Sequence, residues 1–275
     1  MPAPLLALGA IGSVQIGATV ARRAFDSLGP TGTVFLRVLF GALILLVLAR
    51  TRRPSFAPPQ WRAVLLFGLI IAAMNLCFYQ AIARIALGIA VTIEFIGPLA
   101  VAVIGSRKPV DFLWAAMAGG GVVLLSLTGG SVTPLGVLFA LGAAVGWACY
   151  IVLSQRVGQL VPGPDGLALA LAVGGLALAP IGIAAAGTRL LDWRNLGLGA
   201  VVAVLSSAIP FSLEFAALRR LPRQVFGILM SLEPAMGAAA GFLFLGQQLG
   251  IRELLAIALV MAASIGASLA VDFRG

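Results

Sequence analysis

Four ionisable side chains, Arg37, Glu94, Glu214 and Glu233, stand inside long apolar runs of the sequence. A charge at the centre of a helix in hydrocarbon costs about 2.5–3.5 kcal/mol. Four such groups facing lipid would be prohibitive, so they must face protein or water. Two chemistries fit that requirement. The groups line a path for a small polar solute, one carboxylate carrying a proton, or they form interhelical ion pairs and neutral carboxyl groups bonded to freed backbone. Glu94 precedes Gly97-Pro98, and Glu233 directly precedes Pro234. Proline removes a backbone donor and clashes with the preceding turn, so Pro98 and Pro234 predict helix breaks. An acid beside a break can bind a freed N–H or a cationic group of a solute.

Further polar or aromatic residues interrupt the same runs: Gln15, Asn75, Tyr79, Gln80, Thr92, Trp147, Tyr150, Ser206, Ser207 and Ser212. A buried amide needs partners, and bonds between helices supply them as readily as a ligand does. Tyr79 and Tyr150 suit a lining role, because a ring closes a cavity while its hydroxyl bonds a solute. The candidate substrate-binding set is Gln15, Arg37, Asn75, Tyr79, Glu94, Trp147, Tyr150, Ser207, Glu214 and Glu233, with Pro98 and Pro234 as the breaks. Trp61 and Trp193, at the ends of runs, suit interface anchors.

Several chemistries lack their residues. Histidine is absent, which removes the commonest general base and metal ligand. Cys77 and Cys149 are far from any CxxC spacing, and the only lysine stands in Ser106-Arg107-Lys108-Pro109, outside any phosphate-cradling GxxxxGK[ST] pattern. No metal, cofactor or ATP hydrolysis is expected. An intramembrane transferase would need a nucleophile and base in one local motif, and none is present, so the chain does not read as an enzyme.

The elements that must hold these groups follow from composition. Of 275 residues, 61% are hydrophobic and 10% charged, with a mean hydropathy of +1.12; a soluble domain has about 25% charged residues. A helix crossing a bilayer needs about 20 apolar residues. Apolar runs broken by charge, Pro and Gly place spans near 4–21, 32–49, 61–82, 86–105, 112–129, 134–153, 165–186, 196–216, 225–245 and 252–271. Removing the weak joints at 82–86 and 129–134 leaves eight longer spans as the alternative. The fold class expected is an all-α polytopic membrane protein. Residues 1–21 carry no basic segment before the apolar run, which reads as a retained first helix rather than a cleaved signal.

The net charge is +9, and its placement argues for a membrane rather than nucleic acid. Under the ten-span reading one side collects Arg50, Arg52, Arg53, Arg62, Arg107, Lys108, Arg156, Arg219, Arg220, Arg223 and Arg274. The other collects Arg22, Arg23, Arg84, Arg189, Arg194 and Arg252. The richer side is cytoplasmic by the positive-inside rule, and both termini with it. Small residues four apart (Gly9, Ser13, Gly17, Ala21; Gly142, Gly146; Gly237, Gly241) let helix backbones approach closely. Packing within one chain explains them better than a dimer face, so a monomer is expected.

Residues 81–105 laid over 217–241, a shift of 136, match Ala81 with Ala217, Arg84 with Arg220, Pro98 with Pro234, Ala102 with Ala238 and Gly105 with Gly241. Two repeats, 1–130 and 131–275, would then hold five spans each. An odd number inverts the second repeat, and inverted repeats are a transporter architecture with a site near the midplane.

The stretches LGIAVTIEFIGPLAVAVIGSRKPVDFLW (87–114) and LSSAIPFSLEFAALRRLPRQVFGILMSLEPAMGAAAGFLFLG (205–246) resemble the threonine and homoserine exporter branch of the EamA family, in the drug/metabolite transporter superfamily. The resemblance extends to aromatic amino acid exporters. It implies ten helices in two inverted five-helix repeats and export of amino acids across the bacterial inner membrane. The family's motif positions match here as Glu94 with Pro98 and Glu233 with Pro234. Many members carry an acid after the FLG of the ninth helix, where this chain has Gln247 and Gln248. The expected partners are therefore a small amino acid and membrane lipid, the expected mechanism alternating access. Alternative cargoes on the same fold are aromatic amino acids, another metabolite, a lipid or a nucleotide sugar.

Overall fold

The computed structural model describes residues 2–49, 57–104, 109–126, 132–161, 163–218, 220–221 and 223–271. Arg50, Arg52, Arg53, Arg107, Lys108, Arg219, Arg274 and the turn at Gly129-Gly130-Ser131 lie outside them. Every described element is helical: α1 (Ala3–Ala49), α2 (Pro58–Ile82), α3 (Leu87–Glu94), α4 (Ile96–Ile104), α5 (Pro109–Ser126), α6 (Pro134–Leu160), α7 (Asp165–Ala186), α8 (Trp193–Ala203), α9 (Ile209–Leu218), α10 (Arg223–Met230), α11 (Glu233–Leu245) and α12 (Ile251–Val271). A 3₁₀ turn, Gly187–Leu191, precedes α8, and a π turn, Val204–Ala208, joins α8 to α9. Among the described residues seven helical stretches are long and apolar enough to cross a membrane, and Leu87–Val101 and Phe112–Leu125 are shorter apolar helices.

Helix starts follow from local chemistry. Pro58 and Pro134 open α2 and α6 at positions where the missing N–H has no intrahelical role. Thr133 Oγ1 accepts from the Gly136 N–H at 3.1 Å and Asp192 Oδ1 from the Arg194 N–H at 2.9 Å, capping α6 and α8. At the far end of α11, Gly246 takes the left-handed conformation, φ 64°, that a helix stop favours.

Two departures from the sequence reading concern α1 and the eighth span. Of residues 22–31, expected as a loop, 22–28 continue the first arm of α1, so Arg22 and Arg23 sit on a helix. The chain turns instead at Gly29 (φ 66°, ψ 170°), one residue before Pro30, making a kink between two long arms. The eighth span carries the π turn, for which the sequence offers no signature. Its misaligned carbonyls find partners on both arms of α1: Ser13 Oγ donates to the Leu205 oxygen at 2.7 Å and Arg37 Nη2 to the Ser206 oxygen at 3.4 Å.

The large helix contacts run between the first and second halves of the chain. α3 crosses α11, α5 lies along α12, α2 packs on α6 and α7, and α1 packs on α7, α8, the π turn and α9. Glycines set these approaches. A Cβ on Gly88 would lie 2.6 Å from the Ala238 Cα, one on Gly182 2.5 Å from the Phe35 Cβ, and one on Gly146 2.7 Å from the Met74 Cβ. Gly9, Gly17, Gly142 and Gly237 of the predicted stripes likewise face Leu213, Ser206, Cys77 and Val91 of this chain.

Candidate functional site

Both predicted breaks are present. The helix stops at Glu94, a single residue, Phe95, intervenes, and α4 starts at Ile96 with Pro98 in its first turn. In the second half α10 ends at Met230, Ser231 and Leu232 form a turn, and α11 starts on Glu233 with Pro234 behind it. The shift of 136 that carries Pro98 onto Pro234 also carries Phe95 onto Ser231. Glu94 thus closes one half-helix and Glu233 opens another, where free N–H groups and the positive end of the helix dipole favour a carboxylate.

Between the halves lies a cavity of about 210 Å³. Gln15 and Arg37 enter it from the two arms of α1, Asn75 from α2, Glu94 from α3, and Trp147 and Tyr150 from α6. Ser206 and Ser207 come from the π turn, Glu214 from α9, and Glu233 from α11. Nine of the ten candidate residues therefore meet in one place. Tyr79 is the exception. It is fully buried behind the wall, with the Arg37 guanidinium 5.4 Å over its ring. Among the described residues its hydroxyl oxygen has no hydrogen-bond partner. Sequence reasoning placed Tyr79 in the lining because a tyrosine in an apolar run does not disclose its depth. The apolar part of the wall, Val14, Val91, Leu167, Pro210 and Phe211 among others, has no signal in an apolar sequence. Ser206 was marked only as a polar interruption.

The polar groups are disposed unevenly. Asn75 Nδ2 donates to the Ile71 oxygen of its own helix at 2.8 Å. Gln15 is 3% exposed, and its Oε1 is sealed from solvent without a protein donor. The Arg37 guanidinium and the carboxyl groups of Glu94, Glu214 and Glu233 line the same cavity. Trp147 meets the break residue Phe95 edge-on, ring centroids 5.5 Å apart, and Tyr150 leans on Phe67 at 5.1 Å. Three carboxylates, one guanidinium and two amides facing a small space suit a solute with both charges. No three His, Cys, Asp or Glu side chains among the described residues converge to hold a metal ion.

One end of the bundle is tied across the chain. Arg23 Nη2 donates to the Phe244 oxygen at 3.1 Å, Arg189 Nη1 to the Ser27 oxygen at 3.0 Å, and Ser27 Oγ to Asn195 Oδ1 at 2.8 Å. Gln80 Nε2 donates to Thr31 Oγ1 at 2.9 Å, while Arg84 holds the Gln80 oxygens. Gln247 Oε1 accepts from the Leu87 N–H at 2.9 Å, capping α3 from the other half of the chain. The position where an acid was expected by resemblance thus has a structural part that an amide fills. The cavity extends the other way, past Leu167 near the start of α7 and Glu214 near the end of α9.

The EamA-like transporter family profile matches twice, over residues 1–129 and 134–269. This chain belongs to the EamA-like transporter family. It is 42% identical over 270 residues, 97% of its length and 91% of theirs, to the threonine/homoserine exporters RhtA of Salmonella typhimurium (strain LT2) and Escherichia coli (strain K12). An uncharacterised transporter of Bacillus subtilis, YwfM, is 25% identical over 254 residues, 88% of this chain and 86% of its own. A crystal structure 19% identical in sequence shares the fold with a TM-score of 0.61, over 98% of this chain and 96% of that one. EamA-like proteins are transporters, so the chain is a multi-pass membrane transporter and not an enzyme.

Proposed function

We propose that this EamA-like transporter exports small amino acids of the threonine and homoserine kind across the bacterial inner membrane by alternating access. The observation that carries the reading is the single cavity in which Arg37, Glu94, Glu214 and Glu233 meet the amides of Gln15 and Asn75. A zwitterion needs an anion for its ammonium group and a donor for its carboxylate. Glu94 or Glu233 meets the first need and Arg37 the second, with the Gln15 amide beside them in the same wall. The names of the relatives supply the substrate class.

Ten crossings arise when the arms of α1 count separately and the shorter helices at 87–101 and 112–125 are added. We read them as two inverted repeats, residues 1–130 and 131–275. The family profile falls once on each half. The packing pattern also survives exchange of the halves: α3 and α11 belong to equivalent crossings, as do α5 and α12, and α2 on α6 exchanges with α8 and α9 on α1. The termini are cytoplasmic, the tied end faces outward, and the cavity lies open to the inside. One chain suffices, since the small-residue stripes are filled from within.

The test is counterflow in liposomes containing purified protein, with threonine, homoserine, tryptophan, a nucleotide sugar and a fluorescent lipid offered in turn. Exchange of threonine or homoserine, with the others at background, supports the proposal; exchange of tryptophan or the lipid alone refutes the substrate class. Repeating the panel with a pH gradient separates proton coupling from facilitated exchange.

A further inference from the structure

A second cavity, about 230 Å³, lies at the tied end, where α2 stops, α3 starts and α11 stops. Arg22, Arg84, Gln247 and Gln248 border it, and its described lining includes no carboxylate. The central cavity holds three. A row of rings joins the two spaces. The Arg37 guanidinium stands 5.4 Å over the Tyr79 ring, Tyr79 and Phe25 are 5.8 Å apart with planes tilted by 50°, and the Arg22 guanidinium stands 5.5 Å over the Phe25 ring. Tyr79 and Phe25 are buried, so two tilted rings lie between a cation at the central cavity and a cation at the outer one.

We propose that the second cavity is an outward receiving site for the carboxylate of the exported amino acid, which passes from Arg37 to Arg22 and Arg84 when the Tyr79 and Phe25 rings part. The proposal rests on the export reading. The chemistry of the two ends differs in the required sense. The inner site offers both charges to a zwitterion, whereas the outer one offers two guanidinium groups and no described carboxylate and leaves the ammonium charge to water, so the substrate is held there by one end and released. Arg84 also bonds the Gln80 carbonyl and side-chain oxygens, at 2.7 and 2.6 Å, and is part of the tie. Among the described residues Arg22 makes its ring contact with Phe25 and no hydrogen bond, which makes Arg22→Gln the discriminating change.

The experiment has two arms, both on the full chain in liposomes of one orientation. In the first, threonine counterflow is measured with substrate varied outside and then inside. Arg22→Gln raises the outside KM about threefold to fivefold, the scale of a partly exposed ion pair, and leaves the inside KM unchanged. In the second, Gln248→Cys is placed in a chain lacking Cys77 and Cys149, and reaction with impermeant anionic and cationic methanethiosulfonates is timed from outside. The anionic reagent reacts faster, and Arg22→Gln lowers that preference about threefold or more. Equal rises of both KM values, or a preference that Arg22→Gln does not move, overturn the proposal. Failure of the unmodified chain to exchange threonine refutes the export reading instead, and the reagent arm then decides the anion preference by itself.

Discussion

Gln15→Leu should make the protein more stable and a poorer transporter. The side chain is 3% exposed, and its Oε1, lying near Gly237, has neither solvent nor a protein donor. A buried acceptor left unpaired costs about 1–3 kcal/mol, while apolar replacement of similar shape removes that penalty. Taking about 1–2 kcal/mol as recovered, and about 2–4 °C of melting temperature per kcal/mol for a chain of this order, the rise is about 2–8 °C in detergent. The same change removes a polar side chain from the cavity wall. A bond from the amide N–H to a charged group of the substrate is worth about 1.5–3 kcal/mol, so threonine counterflow at low concentration falls about tenfold or more. Both quantities come from one preparation, by differential scanning fluorimetry and by uptake into liposomes. A lower melting temperature with transport intact refutes the reasoning, because it would mean that the amide is a strut whose oxygen has a partner.

Three more outcomes follow from the same geometry. Glu94→Gln and Glu233→Gln keep shape and remove charge, so each should lower counterflow about tenfold or more, the scale of a charge-assisted contact, with little change in melting temperature; normal transport with lost stability would make them struts. Gly88→Ala sets a Cβ 2.6–2.9 Å from the Ala238 backbone and Cβ, where neither helix can give, and should cost about 1–3 kcal/mol in stability, read as a lower melting temperature with a reduced transport rate. A fluorescent reporter fused after residue 275 should shine in cells while an alkaline phosphatase fusion there stays inactive, because the ten-span reading puts the richer set of basic residues on that side; the reverse result overturns the orientation.

Much of the site was legible because hydrocarbon leaves few options for polar atoms. Arg37, Glu94, Glu214 and Glu233 had to face inward, and one inward space collects them. The breaks at Phe95 and at Ser231-Leu232 followed from the nearby prolines. Helix continuity was less legible. Arg22, Arg23 and Asp26 look like loop residues, yet all lie on α1, Arg22 over the Phe25 ring, because long side chains can shelter their stems on apolar neighbours. The π turn was hidden for another reason. It is a matter of backbone register stabilised by Ser13 and Arg37 from a distant helix, and Val204–Ala208 alone carries no instruction for it. Gln247 was read by comparison with an acid, whereas its work is to hold the Leu87 N–H, a contact 160 positions apart in the chain.

The kink in α1 makes that helix a caliper. Its two jaws carry Gln15 and Arg37, and the pivot is Gly29, around which a Cβ would find nothing within 4 Å. The glycine is required by the sign of φ and not by space. Arg37 sits eight residues from the pivot, about 12 Å along the arm. A change of about 5° at Gly29 therefore sweeps the guanidinium through about 1 Å relative to Gln15, and a misplacement of about that size costs an enzyme active site as much as 10²-fold in rate. On the export reading proposed above, the gap between the jaws sets the length of solute that can reach both. On that reading a change at Gly29, at the rim of the bundle, would reset the length of amino acid accepted while every side chain of the cavity stays as it is.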